Sequence, residues 1–349
     1  MSQSRASRSP RLARPERAWR RTLGALGGAL ALAATASACS SGSGSLEKPN
    51  LVVGVVSGIG ETTFQLGYNA GDFSHNGLTI TIMPFSTDAA AESALQKGTV
   101  DVAYGDYSEF LSSSAAAQIQ VVGEGYNAGS NTIGLIAAKG SSLATSSLTG
   151  TGGVAEQIAN GDLSVDVPDS QSPEYVALAN WAIAEQNPLN ADKIDQSAGG
   201  NDSAATASAM INAVVSGSAS TAVVQDPYLT EAIESGKVTE LANLDSGNAV
   251  DMPISGYFAL TSTVQKDPNT VAAFQAGLFE AQSIGASRVE VETALEAAKI
   301  SPEVAATTSI GIYPTQLVAA TLTNVLSLMD SANLPTTGLS AASLTGSSV

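Results

Sequence analysis

The chain is 349 residues long, 44% apolar and 13% charged, with 32 acidic against 15 basic residues and a net charge of −17. That length accommodates about two domains, each with enough apolar residues to fill a core. The acidic excess argues against a nucleic-acid partner and against adhesion to anionic lipid through a basic patch, and the single cysteine, Cys39, leaves no intrachain disulfide and no cysteine-built metal site.

Seven arginines between Arg5 and Arg21 precede an apolar run from Leu23 to Ala34, and Ala36-Ser37-Ala38 leads into Cys39. A basic region, an apolar core shorter than a membrane span and small residues before a cut describe a secretory signal over residues 1–38. A cysteine straight after the small residues resembles a bacterial lipobox, which makes Cys39 the expected lipidation site; Ala36 stands where that motif usually has leucine. Arg20-Arg21 leaves twin-arginine export open beside the general secretory route. Residues 39–49, with Ser40–Ser45 reading SSGSGS, form the expected flexible tether to the cell membrane. Setting the signal aside removes seven basic residues and Glu16, so the mature chain carries 8 basic against 31 acidic residues, a net charge of −23.

Leu51–Val56 is a continuous apolar run, the pattern of a strand buried on both faces. Ser57-Gly58-Ile59-Gly60 turns into a helix that runs to about Ala70. Leu78–Pro84 is the next strand, and Asp88–Gln96 is a helix stopped by Lys97-Gly98. Val100, Val102 and Tyr104 then alternate with Asp101 and Ala103 as a third strand, broken by Gly105, after which Asp106 caps a helix opening at Tyr107. Ile119–Gly123 and Thr132–Ala138 are further strands. This alternation predicts an α/β fold with a mostly parallel, doubly wound sheet.

Lys139–Gly153 is rich in Ser, Thr and Gly and marks a boundary. A second α/β unit begins near Leu163–Val167 and continues through helices at Glu174–Glu185 and Ala204–Val215 to a strand at Thr221–Val224. Ile254–Leu260 is again a strand. From Asn269 the pattern is helical, over Asn269–Ile284, Val289–Ala298, Pro302–Thr308 and Pro314–Asp330, and beyond Leu334 the composition predicts a frayed end.

The order of several segments resembles a family. It comprises Leu51–Val56 ending in Ser57-Gly58; Asn69–Phe73; Asn76-Gly77-Leu78; Leu95–Ala103; Val167–Ser172 before a helix; and Val223–Tyr228. Together they resemble the extracytoplasmic substrate-binding proteins of ABC importers, in the branch serving sulfonates, taurine, nitrate and thiamine-pyrimidine precursors. The resemblance implies a type II periplasmic-binding-protein fold: two α/β lobes joined by two crossover segments, closing on a small-molecule ligand by hinge motion. Lobe one would be residues 50–138 plus 253–335 and lobe two 139–252, with a disordered tail at 336–349. The strands near Thr132–Ala138 and Ile254–Leu260 would be the crossovers. It also implies a monomer outside the cytoplasm, anchored to the membrane at Cys39, that hands its ligand to the permease subunits. Gln225-Asp226 depart from the family's frequent aromatic-acid pair before Pro-Tyr.

Three strand-to-helix turns carry candidate ligand contacts: Ser57 with Gly58, Asp106 with Tyr107, and Ser170-Gln171-Ser172. Free N–H groups and small hydroxyls at such turns suit an oxyanion. Each alone reads as a helix cap; the three together, with the resemblance, read as ligand contacts. Asn131 and Thr132 lie at a crossover, and Tyr104, Tyr107, Tyr228 and Tyr257 offer flat apolar faces with polar tips, core packing being an equal reading for Tyr104 and Tyr257. Asp226 divides the possibilities: lining the pocket it favours a cationic or amine-bearing ligand, whereas capping a helix it leaves an anion open. Arg288, the one arginine of the mature chain, falls in the helical tail, away from these segments. No catalytic residue, metal site or cofactor is expected: His75 is the one histidine, in a Ser-His-Asn-Gly turn, and no nucleophile elbow, zinc-protease pair or phosphate loop occurs. A surface scaffold or adhesin, and an enzyme on the same fold, are the competing readings.

Overall fold

The computed structural model describes residues 45–190, 194–196 and 203–346. The signal, Cys39 and most of the tether lie outside the described residues. Among the described residues no helix is long and apolar enough to cross a membrane.

The strands are β1 (Asn50–Val56), β2 (Thr79–Phe85), β3 (Val102–Asp106), β4 (Ile119–Asn127), β5 (Ile133–Ala138), β6 (Val165–Val167), β7 (Asp195–Gln196), β8 (Thr221–Gln225), β9 (Val238–Asn243) and β10 (Pro253–Leu260). They form two five-stranded sheets, ordered β2-β1-β3-β10-β4 and β7-β6-β8-β5-β9. Strand β1 runs parallel to β2 and β3, and β6 runs parallel to β7 and β8. The exceptions are β10, antiparallel to β3 and β4, and β5, antiparallel to β8 and β9. Each of these is the strand that has just come over from the other lobe. The fold class is the expected α/β pair of lobes, with one reversed strand inserted in each sheet.

The lobe boundary differs from the expected one. Residues 133–138 pair wholly within the second sheet, so the change of lobe falls at residues 128–132 rather than after Ala138. The return crossing is 244–252. Strand periodicity marked a strand at 133–138 but carried no information about which sheet it joins; hydrogen-bond partners decide that.

Side chains alternate across each sheet to make a core on both faces. In β10, Tyr257 joins Phe64, Phe73 and Phe274 on one face, while Phe258 joins Phe110, Leu95 and Met329 on the other. Phe110 stacks on Phe258 with ring centres 4.3 Å apart and planes 7° from parallel. In β8, Val223 and Val224 likewise divide between two clusters.

The crossovers are pinned to one another. Asp245, 2% exposed, accepts the backbone N–H groups of Asn131 (3.0 Å) and Thr132 (2.7 Å) and the Thr132 hydroxyl (2.6 Å). Asn131 sits at φ 63°, a left-handed conformation that asparagine tolerates. The C-terminal segment adds a third tie. Ile312 bonds Asn127 reciprocally at 2.9 Å, and the Ser309 N–H donates to Asp226 of lobe two at 2.8 Å.

The tail also departs from expectation. The helix expected from Pro314 begins at Ala319, because Glu124 of β4 takes the Val318 N–H at 2.6 Å and fixes the preceding turn. Residues expected to be disordered include a helix, Ala341–Thr345, started by a capping box between Ser340 and Ser343 and anchored by Leu344, 1% exposed.

Candidate functional site

Three elements of lobe one deliver their carboxyl-terminal ends to one place: β1 through Ser57-Gly58, β3 through Asp106, and β2 through the turn whose Thr87 side chain caps the helix Asp88–Gln96 at Ala90 N–H (3.2 Å). Lobe two contributes Gln225 at the end of β8, and Tyr126 and Ile254 stand beside the crossovers. Together these line a cavity of about 30 Å³ at the seam of the lobes, room for roughly two waters. Ser57, Gly58 and Ile59 also border a wider groove of about 610 Å³, whose other wall is Pro227-Tyr228 of lobe two with Thr293, Ala294, Leu295, Ala297, Ala298 and Ile300. Strand ends of open α/β sheets are where small ligands are held.

Two glycines make the close approach feasible. A Cβ on Gly60 would collide with the Tyr104 hydroxyl, and one on Gly105 would collide with the Asp88 carboxylate and the Phe110 ring. Gly58 is different: a Cβ there meets open space, and its φ of −178° suits any residue.

The site is rich in acceptors. Asp88, 2% exposed, accepts the Asp106 N–H at 2.8 Å through Oδ1. Burial pushes its carboxyl up to about 7, and Asp169, reaching over from lobe two, pushes the same way. Glu109 is raised further, to about 9, first by burial, then by the charge of Asp169 and a hydrogen bond to it, and by Asp88 and Glu174. In the wider groove, burial alone lifts Glu61 to about 7. Among the described residues neither cavity is lined by lysine, arginine or histidine; Arg288 is held by Glu292 (2.5 Å) and by the carbonyls of Ala306 (2.6 Å) and Thr308 (3.0 Å).

Of the residues singled out in the sequence, Ser57, Gly58, Asp106 and Tyr104 meet at the small cavity, and Tyr228 lines the groove. Tyr107 is buried and faces a separate space between the lobes with Pro173 and Val176. Tyr257, wholly buried, is a core residue, its ring 5.0 Å from that of Tyr104. Asn131 and Thr132 serve the Asp245 tie. Ser172 caps its helix by accepting the Tyr175 N–H (3.2 Å), and the Gln171 N–H beside Ser170 donates to Asp169 (2.7 Å). Asp226 caps the helix Tyr228–Glu234, accepting from Thr230 N–H (2.9 Å) and hydroxyl (2.8 Å). Asp88 was read only as a helix start; its position just past a strand end was the available signal. Tyr126 and Gly60 gave none.

The architecture is the periplasmic-binding-protein fold. No protein-family model and no curated protein matches the chain. Among solved structures it is similar to the alkanesulfonate-binding protein SsuA of Xanthomonas axonopodis pv. citri bound to MOPS, at 16% identity and TM-score 0.65, covering 84% of this chain and 97% of that one. It is similar too to the aliphatic sulphonate-binding protein SsuA of Escherichia coli (18%, 0.61, covering 82% and 91%). A ligand-binding component of an ABC-type import system from Staphylococcus aureus, with zinc bound, matches at 15% identity and TM-score 0.62, covering 83% and 94%.

Proposed function

We propose that this chain is the solute-binding component of an ABC importer, held outside the cytoplasm by a lipid on Cys39, that captures a small molecule between its lobes and delivers it to a membrane permease without chemical change. The observation that carries the reading is the cavity at the ends of β1, β3 and β8, whose wall is shared by both lobes. A ligand there touches both halves and so favours their closed arrangement. The likeness to sulfonate-binding proteins supports the reading, and it makes sulfonates, taurine, nitrate and thiamine-pyrimidine precursors the first compounds to offer.

The test is a thermal-shift screen of these compounds and of amines, run on wild type and on Gly58→Trp. The substitution puts an indole into the open space beside Gly58 without backbone strain. A compound that raises the melting temperature of wild type and leaves that of Gly58→Trp unmoved supports the reading. No shift across the panel, or shifts that survive the block, supports a surface scaffold instead.

A further inference from the structure

Several backbone donors around the lobes are already taken by the chain's own carboxylates. Asp88 holds the Asp106 N–H, Asp169 holds the Gln171 N–H, and Asp226 holds the Thr230 and Ser309 N–H groups. The seam itself carries carboxylate acceptors and, among its described lining, no lysine, arginine or histidine. Carboxylates face one another across it, Asp88 and Glu109 from lobe one and Asp169 from lobe two, and burial together with the charge of Asp169 raises Asp88 and Glu109.

A second observation is independent of these acids. Gln225 lines the same cavity, is 4% exposed, and its side-chain oxygen has no hydrogen-bond partner. A buried amide oxygen left without a donor is costly unless a ligand supplies one.

We propose that the cleft takes a solute ending in a positively charged amine, with the ammonium seated among Asp88, Asp106 and the Gln225 carbonyl oxygen and the body lying in the adjoining groove. The inference rests on the binding-protein reading and names the ligand class of that same site. An ammonium offers up to three donors and no acceptor, which matches an acceptor-lined cavity; the Tyr104 and Tyr126 rings beside it suit a cation further. The small cavity admits a head group, and the groove, bordered by Leu66, Leu295 and Ile300, admits an apolar chain. Among the described residues no three acid, histidine or cysteine side chains are placed to hold a metal ion. A sulfonate or nitrate would bring its oxygens against the carboxyls of Asp88 and Asp106.

The experiment compares n-alkylamines and 1,4-diaminobutane with alkanesulfonates of equal chain length, by melting shift and by calorimetric Kd on the full mature chain. The expected result is that amines shift the wild type and sulfonates do not. Asp88→Asn, which keeps the acceptor for Asp106 and removes the charge, should weaken the amine roughly 10- to 100-fold, the worth of a charge-assisted hydrogen bond. Gln225→Met keeps the volume, removes the acceptor and should weaken the amine in the same direction, so the test stands even if one variant fails to fold. Sulfonate or nitrate binding that Gly58→Trp abolishes would overturn the amine inference and leave the binding-protein reading intact. Zinc or calcium alone raising the melting temperature would also overturn it, as would amine affinity unchanged in both Asp88→Asn and Gln225→Met. No shift from any compound would overturn both readings.

Discussion

Asp88 Oδ1 accepts the backbone N–H of Asp106 at 2.8 Å, so a buried carboxylate at the start of one helix fixes the end of β3 where the next helix begins. The bond does two jobs. It satisfies an amide at the strand end, and it places a titratable carboxyl against the cleft.

These jobs separate by substitution. Asp88→Ala leaves the Asp106 N–H without its acceptor, which should destabilise the protein by about 1–3 kcal/mol. Asp88→Asn keeps an oxygen in place and should lose less than half as much. Urea unfolding of both variants measures the difference; equal losses would show that the amide bond is not what Asp88 contributes.

Stability of the ligand-free protein should fall as pH rises. Asp88 and Glu109 bind protons more tightly when folded than when unfolded, where their values are ordinary, 3.8 and 4.5. Their contribution is therefore complete below those values and is lost as pH climbs through about 7 for Asp88 and about 9 for Glu109. Asp169, Glu92 and Glu174 face these two groups and add to the repulsion. The melting temperature should drop between pH 5 and pH 8, and Glu109→Gln should flatten that slope. An unchanged slope in Glu109→Gln would remove Glu109 from the account.

The crossover tie should be among the most sensitive points outside the cores. Asp245→Ala removes the acceptor for two backbone N–H groups and the Thr132 hydroxyl, with Thr132 wholly buried. A loss of roughly 2–4 kcal/mol is expected, since the stranded donors cannot reach water. Chemical denaturation reads it; a loss below about 1 kcal/mol would mean that the crossovers re-pair freely.

Much of this was legible in the chain because buried strands write themselves as apolar runs. LVVGVV, TIGLIAA and ISGYFAL each became a strand, within a residue or so at the ends. Strand β9, VTELAN, was not visible, since a partly exposed strand mixes charged and apolar residues without clean alternation. The lobe boundary was misplaced because periodicity does not reveal pairing partners. At the site, Ser57, Gly58 and Asp106 were legible as strand-end residues. Asp88 was hidden by its helix, and the position of Asp226, turned to cap Thr230 rather than to face the cleft, is a matter of side-chain direction that sequence leaves open. In the amine proposal Asp88 takes the part that the sequence reading gave to Asp226.

The most direct measurement is mass spectrometry of small molecules released by denaturing the protein purified from cells that export it. Wild type should release a solute bearing a basic nitrogen in near-stoichiometric amount, and Gly58→Trp should release none. Equal release from both proteins, or release of a purely anionic solute from wild type, would contradict an acceptor-lined cleft that closes around an ammonium.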